Sequence, residues 1–150
     1  MGNTPENEVA ALLDERVEAC RVKDIDRLMA LYSPDVVYFD VVPPLHFTGT
    51  DSVRRNFRRW FDEYEGPIGL TTVHQQVAAS GDVAFAHMIH HDTGPLDAES
   101  ATHEQVEDRS LWLRSTVCLR RTEQGWRITH EHISLPVDLR TMQAVLDLTP

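Results

Sequence analysis

The sequence predicts an α+β domain whose helices precede an antiparallel sheet curled around a pocket. Three observations carry that prediction. Helical spacing of apolar residues is confined to the first 64 or so positions. Later segments alternate with period two and are joined by tight turns at Ser80-Gly81-Asp82 and Thr122-Glu123-Gln124-Gly125. The last long segment places Trp126, Ile128, His130, His132 and Ser134 on one strand face, a row that turns from apolar to polar. An inward row of that kind suits the wall of a small-molecule pocket.

The elements follow in order. Thr4-Pro5 starts a helix, with a hydroxyl N-cap followed by a proline whose missing N–H costs nothing there. Val9, Leu12, Leu13, Val17 and Cys20 form its packing face, and Arg16 lies at the edge of that face. Asp24 caps a short second helix carrying Ile25, Leu28, Met29 and Leu31, which Pro34 ends. Asp35 to Val42 reads as a strand stopped by Pro43-Pro44, with Tyr38 and Asp40 on one face. Thr50-Asp51 caps a third helix. Its stripe is Val53, Phe57, Trp60, Phe61 and Tyr64, and Arg54, Arg55, Arg58 and Arg59 form a solvated opposite face. Leu70–Ala79 and Val83–His91 are two further strands, and Asp92–Thr102 reads as an exposed loop. Arg109–Arg121 and Trp126–Leu135 make the final hairpin, followed by a short tail after Pro136.

At 150 residues, with 41% hydrophobic and 25% charged residues, the chain suits one globular domain, spanning 1–150. A net charge of −10 argues against a sequence-independent hold on nucleic acid or anionic membrane. Cys20 and Cys118 form no metal or redox motif and read as small core residues. The opening Met1-Gly2-Asn3-Thr4 lacks an apolar signal region, and no run reaches transmembrane length, so a cytoplasmic protein is the expectation.

The stretches Leu31–Leu45, Phe47-Thr-Gly-Thr-Asp51 and Trp126–Pro136 resemble the SnoaL-like, ketosteroid-isomerase-related branch of the nuclear transport factor 2 superfamily. The resemblance implies a cone-shaped α+β barrel with one deep pocket, paired as a dimer through the outer face of its sheet. This fold hosts isomerases, dehydratases, cyclases, epoxide hydrolases and non-catalytic modules. By the resemblance, Asp40 takes the position of the isomerase's proton-shuttling aspartate. The oxyanion-donating tyrosine falls at Arg16, and the protonated aspartate near Val117, where no carboxyl stands. Arg114 matches an arginine common among uncharacterised members.

The residues themselves allow competing readings. Asp40 is a general base at a strand end, or a carboxylate that caps the loop before Pro43-Pro44. His130 and His132 donate to a bound carbonyl or hydroxyl, or are buried histidines bonded to neighbouring strands. Arg114 supplies fixed positive charge to an enolate or carboxylate, or holds Asp40 or Glu107 in an ion pair. Glu131 points away, to the surface or a dimer contact. Tyr38, Phe57, Trp60, His87, His46 and Arg16 are candidate substrate contacts, with His46 in a loop that could gate the mouth; Phe57, Trp60 and Phe61 read first as core, with one aromatic available to roof the pocket. His87 and His91 share a face but lie roughly 13 Å apart by strand rise, too far to chelate one ion, and His90-His91 and His103 show no ligand spacing. No metal is therefore expected. The sequence leads to the expectation of a cofactor-independent acid/base enzyme acting on a hydrophobic small molecule, with Asp40 as base. Its rival is a non-catalytic binding or dimeric assembly module. A homodimer is expected in either case.

Overall fold

Thr4 Oγ1 accepts from Asn7 N at 3.2 Å and opens α1 (Pro5–Arg21), with Pro5 in the first turn. Asp24 Oδ1 accepts from Arg27 N at 3.0 Å and opens α2 (Ile25–Met29). Both caps satisfy amides that the helix itself leaves without partners. The third helix, α3 (Thr50–Asp62), is entered differently from the sequence expectation. Its N-cap is Gly49 at φ 82°, without a side-chain cap bond, and Thr50 and Asp51 lie inside the first turn. A backbone at positive φ favours glycine, so the chain turns into α3 at the one residue suited to it.

The computed structural model describes residues 2–97 and 108–150. His103, Glu107 and the far end of the loop expected at Asp92–Thr102 lie outside them.

Six strands form one sheet: β1 (Tyr32–Phe39), β2 (Phe47–Thr48), β3 (Gly69–Ser80), β4 (Val83–Pro95), β5 (Asp108–Thr122) and β6 (Gly125–Ser134). Their order is β2-β1-β6-β5-β4-β3. All neighbours are antiparallel except β1 and β6, which run parallel. The sheet curls without closing, so the barrel implied by the resemblance is open. A separate two-stranded ribbon, β7 (Val137–Asp138) and β8 (Gln143–Ala144), follows. The first strand begins earlier than expected and contains Pro34. Its pairing with β6 breaks between Tyr32 and Val37, so the proline occupies a stretch that needs no ladder donor. The fourth strand runs on through Asp92 to Pro95, where the sequence suggested a loop.

Helix and sheet enclose a core that includes Val9, Leu13, Leu28, Val36, Val53, Phe57, Val117, Leu119 and Ile128, all buried. Each such side chain contributes roughly 1.5–3 kcal/mol of burial. Helix α1 lies on β3, and the Ile68 amide donates to the Arg21 carbonyl at 3.1 Å, tying the helix end to the start of that strand. Among the described residues, no helix is long and apolar enough to cross a membrane.

One irregularity decides which side chains face inward on β6. Cys118 pairs with His130, yet the next residue, Leu119, pairs with Ile128, which leaves Thr129 as an extra residue. That is a β-bulge, and it reverses the alternation. Trp126 and Ile128 are buried before the bulge, Glu131 and Ile133 after it. His130 and His132 therefore do not continue the inward row that begins at Trp126.

Candidate functional site

A cavity of about 530 Å³ lies between α1, α3 and the concave face of the sheet. That volume is typical of small-molecule sites. Apolar side chains make most of its wall, among them Phe57, Trp60, Leu70, Leu113, Ile133 and Leu135. Ala144 and Leu146, from the tail after β6, also line it.

Near the more exposed side, Asp40 follows the last residue of β1. Its Oδ1 accepts from Val41 N at 2.7 Å, and its Oδ2 accepts from Asn56 Nδ2 at 2.7 Å. Arg59 Nη2 stands 3.9 Å from Oδ2. The same arginine donates to Asn56 Oδ1 through Nε and Nη2, at 3.2 and 3.1 Å. Arg59 and Arg109 both bond to Glu63. Residues three and four apart on one helix face, Asn56, Arg59 and Glu63, thus build a polar wall that fixes the Asp40 carboxylate. Arg59 belongs to this wall rather than to a purely solvated helix face.

The deep wall carries a different set. Arg16 donates through Nε and Nη2 to the two oxygens of Glu131, at 2.8 and 2.6 Å, and Tyr32 Oη donates to Glu131 Oε1 at 3.0 Å. Arg16 is 4% exposed and Glu131 0% exposed. Burial alone would lower the Arg16 pKa, but Glu131 together with Tyr32, Cys20 and Tyr38 outweighs it and the net shift is upward. The pair is a buried, bidentate bridge joining α1 to β6. Glu131, expected on the surface, is fully buried and held by Arg16, which lines the cavity. Burial raises the Tyr38 phenol well above its ordinary value, so it stays protonated at neutral pH.

Two further inward residues come from β4, whose alternation places Ala86, Met88, His90 and Asp92 on the concave face. His90 Nδ1 lies 2.9 Å from Thr72 Oγ1, and its Nε2 is buried with no hydrogen-bond partner among the described residues. Burial, reinforced by the Arg16 charge, pushes the imidazole down to about 3, so it is neutral at ordinary pH. Burial pushes the Asp92 carboxyl up to about 7, against the opposing pull of Arg16 and Arg109.

Of the residues singled out in the sequence, Asp40, Tyr38, Phe57, Trp60 and Arg16 line this cavity. His130, His132, Arg114 and His87 do not. The His130 Nδ1–H donates to the Val37 carbonyl at 2.7 Å, and both histidine rings pack edge-on against Phe39. Arg114 is exposed and donates to Ser134 Oγ at 3.1 Å. It sits with His87 and His74 in a shallow depression outside the cavity. His46 is exposed in the loop before β2 and does not reach the cavity. Asn56 and Glu63 line the cavity with no sequence signal to mark them, and Glu131 is buried rather than at the surface. In the sequence His90 and Asp92 read as part of a possible metal cluster or loop. Alternation within Val83–His91 already puts His90 on the face of Ala86 and Met88, and it would have reached Asp92 had the strand been continued past His91. Among the described residues, no three His, Cys, Asp or Glu side chains are placed to share a metal ion.

A curled α+β sheet with helices over its concave face and one cavity beneath them is the NTF2-like architecture. Residues 9–138 match the SnoaL-like domain family, and the chain belongs to it. An NTF2-like protein of unknown function from Pseudomonas putida KT2440 superimposes with a TM-score of 0.85 at 29% identity, covering 100% of this chain and 99% of that one. A ketosteroid isomerase-like protein from Erwinia carotovora atroseptica SCRI1043 gives 0.72 at 19% identity, over 89% of this chain and 97% of that one. An NTF2-like superfamily protein from Salmonella enterica serovar Typhimurium LT2 gives 0.74 at 17%, over 90% and 93%. No curated protein matches the chain.

Proposed function

We propose that the chain is a cofactor-independent acid/base enzyme acting on a hydrophobic small molecule held in this cavity. The observation that carries the reading is the setting of Asp40. Its carboxylate opens on a largely apolar cavity and is fixed by Asn56, by the Val41 amide and by the nearby Arg59. A base held in one orientation against an apolar substrate needs no reorganisation before it takes a proton. The reaction class is proton transfer beside a carbonyl or hydroxyl, as in isomerisation, cyclisation or dehydration. The likeness to a ketosteroid isomerase-like structure supports the fold for such chemistry.

The test is Asp40→Asn, assayed against a panel of cyclic ketones and hydroxyketones for proton exchange with deuterated water. The substitution preserves size while removing basicity. Turnover should fall roughly a hundredfold or more, with binding of the same ketones little changed. An Asp40→Asn variant exchanging at the parent rate would end the assignment. Binding without exchange in the parent protein would favour the non-catalytic module.

A further inference from the structure

We infer that His90 and Asp92 together form a subsite for a ligand hydroxyl, so that the cavity takes an uncharged alcohol or phenol with an apolar body. The inference deepens the reading of the cavity as a small-molecule site and rests on it, but it does not depend on Asp40 being a base.

Neither residue is explained by the fold. His90 is 4% exposed, and its ring uses only Nδ1, on Thr72 Oγ1. Its Nε2 has no partner among the described residues, although the residue lines the cavity. Leaving a buried polar atom unpaired carries a desolvation penalty that is seldom retained without a use. Asp92 is 5% exposed and lines the same cavity. Two positions apart on one strand face, the two side chains start roughly 7 Å from each other. One ligand oxygen between them can therefore reach both.

The choice of hydroxyl follows from donor and acceptor count. The bond between His90 Nδ1 and Thr72 fits either tautomer, so Nε2 presents either an N–H or a lone pair. Asp92 likewise offers an acceptor when ionised and a donor when protonated. A hydroxyl both donates and accepts, so it satisfies the pair in each combination where one group donates and the other accepts. An ether oxygen can only accept. A ligand carboxylate would put a second anion beside Asp92 on a wall where Arg16 is already held by Glu131. The surrounding Leu70, Leu113 and Ile133 accommodate an apolar body.

The experiment is calorimetric titration of the full chain with 2-naphthol, 2-methoxynaphthalene and 2-naphthoate. Alongside it, the ¹⁵N shift of the His90 ring would be followed by NMR. The naphthol should bind at least tenfold more tightly than its methyl ether and than the carboxylate, and should move the His90 Nε2 resonance. His90→Phe and Asp92→Asn should each shrink the preference for naphthol over ether while leaving ether affinity within about threefold. Asp40→Asn should leave the preference intact, which separates this subsite from the assignment of the base. Equal affinity for naphthol and ether in the parent protein, or a His90 resonance that does not move on binding, would overturn the subsite. If none of the three probes bound, the cavity reading would fall and the subsite with it. Should a variant fail to fold, the parent titration and the His90 shift decide the matter alone.

Discussion

Arg16 and Glu131 lie 115 positions apart in sequence, yet their side chains form a bidentate bridge, Nη2 to Oε2 at 2.6 Å, with almost no exposure of either. The bridge crosses from α1 to β6 and borders the cavity. Removing one member of a buried pair leaves the other charge without compensation, at a cost of about 3–5 kcal/mol. Arg16→Ala and Glu131→Ala should each lower the urea unfolding midpoint accordingly. The combined Arg16→Met, Glu131→Leu protein should recover most of that loss, since apolar replacement of both partners removes the desolvation cost as well. Single variants within about 1 kcal/mol of the parent would mean that the bridge is not holding helix and sheet together.

The same glutamate shows where sequence reading stops. Caps at Thr4 and Asp24, turns at Gly81 and Gly125, and the order of helices and strands were legible, because each depends on residues adjacent in the chain. Asp40, Tyr38, Phe57, Trp60 and Arg16, all singled out in the sequence, line one cavity. The inward residues of β6 were not legible. A single extra residue, Thr129, reverses the faces after Ile128, turning Glu131 inward and His130 and His132 outward. Nothing local in Ile128-Thr129-His130 announces a bulge; it is set by the pairing with Cys118 and Leu119 across the hairpin. Asp92 was missed for a different reason. Gly94-Pro95 reads as a loop signal, whereas the structure accommodates both residues at the end of β4, with Pro95 as its last position.

The buried titratable groups make opposing contributions to stability as pH changes. Asp92 has its pKa raised from 3.8 to about 7, so between those values the folded chain keeps a proton that the unfolded chain has lost. Its contribution is therefore fully present below about pH 4 and is lost as pH rises through 7, by at most about 4 kcal/mol. Arg16 and Arg109 oppose the shift, and Asp40 and Glu63 add to it. His90 behaves in the reverse sense. Its pKa falls from 6.5 to about 3, so its contribution is present above 6.5 and is lost as pH falls towards 3. Urea unfolding across pH 4 to 8 should show Asp92→Asn more stable than the parent at pH 8, with the advantage gone near pH 4. His90→Gln should flatten the decline on the acid side. Parallel curves for parent and Asp92→Asn would show that this carboxyl does not titrate in the interval.

The outer face of the sheet bears on assembly. Outward positions of β4 leave Val83 55% and Phe85 51% exposed, in one row with His87 and Ile89. On neighbouring β5, Trp112 stacks flat on His91 at 4.1 Å between ring centroids. Phe39, 36% exposed, continues the apolar surface at β1 beside His130 and His132. A face with this content gains by being covered, and a second copy related by a two-fold axis can cover it with the same residues. We therefore expect a dimer of mass twice the chain at micromolar concentration in sedimentation equilibrium. Phe85→Asp places an unpaired charge at the middle of that row and should yield a monomer, with its cavity still able to bind. His87 and Arg114 lie in the same region, so Arg114→Glu should weaken the dimer rather than abolish proton exchange. A parent chain that sediments as a monomer, or a Phe85→Asp protein that remains dimeric, would place the contact elsewhere.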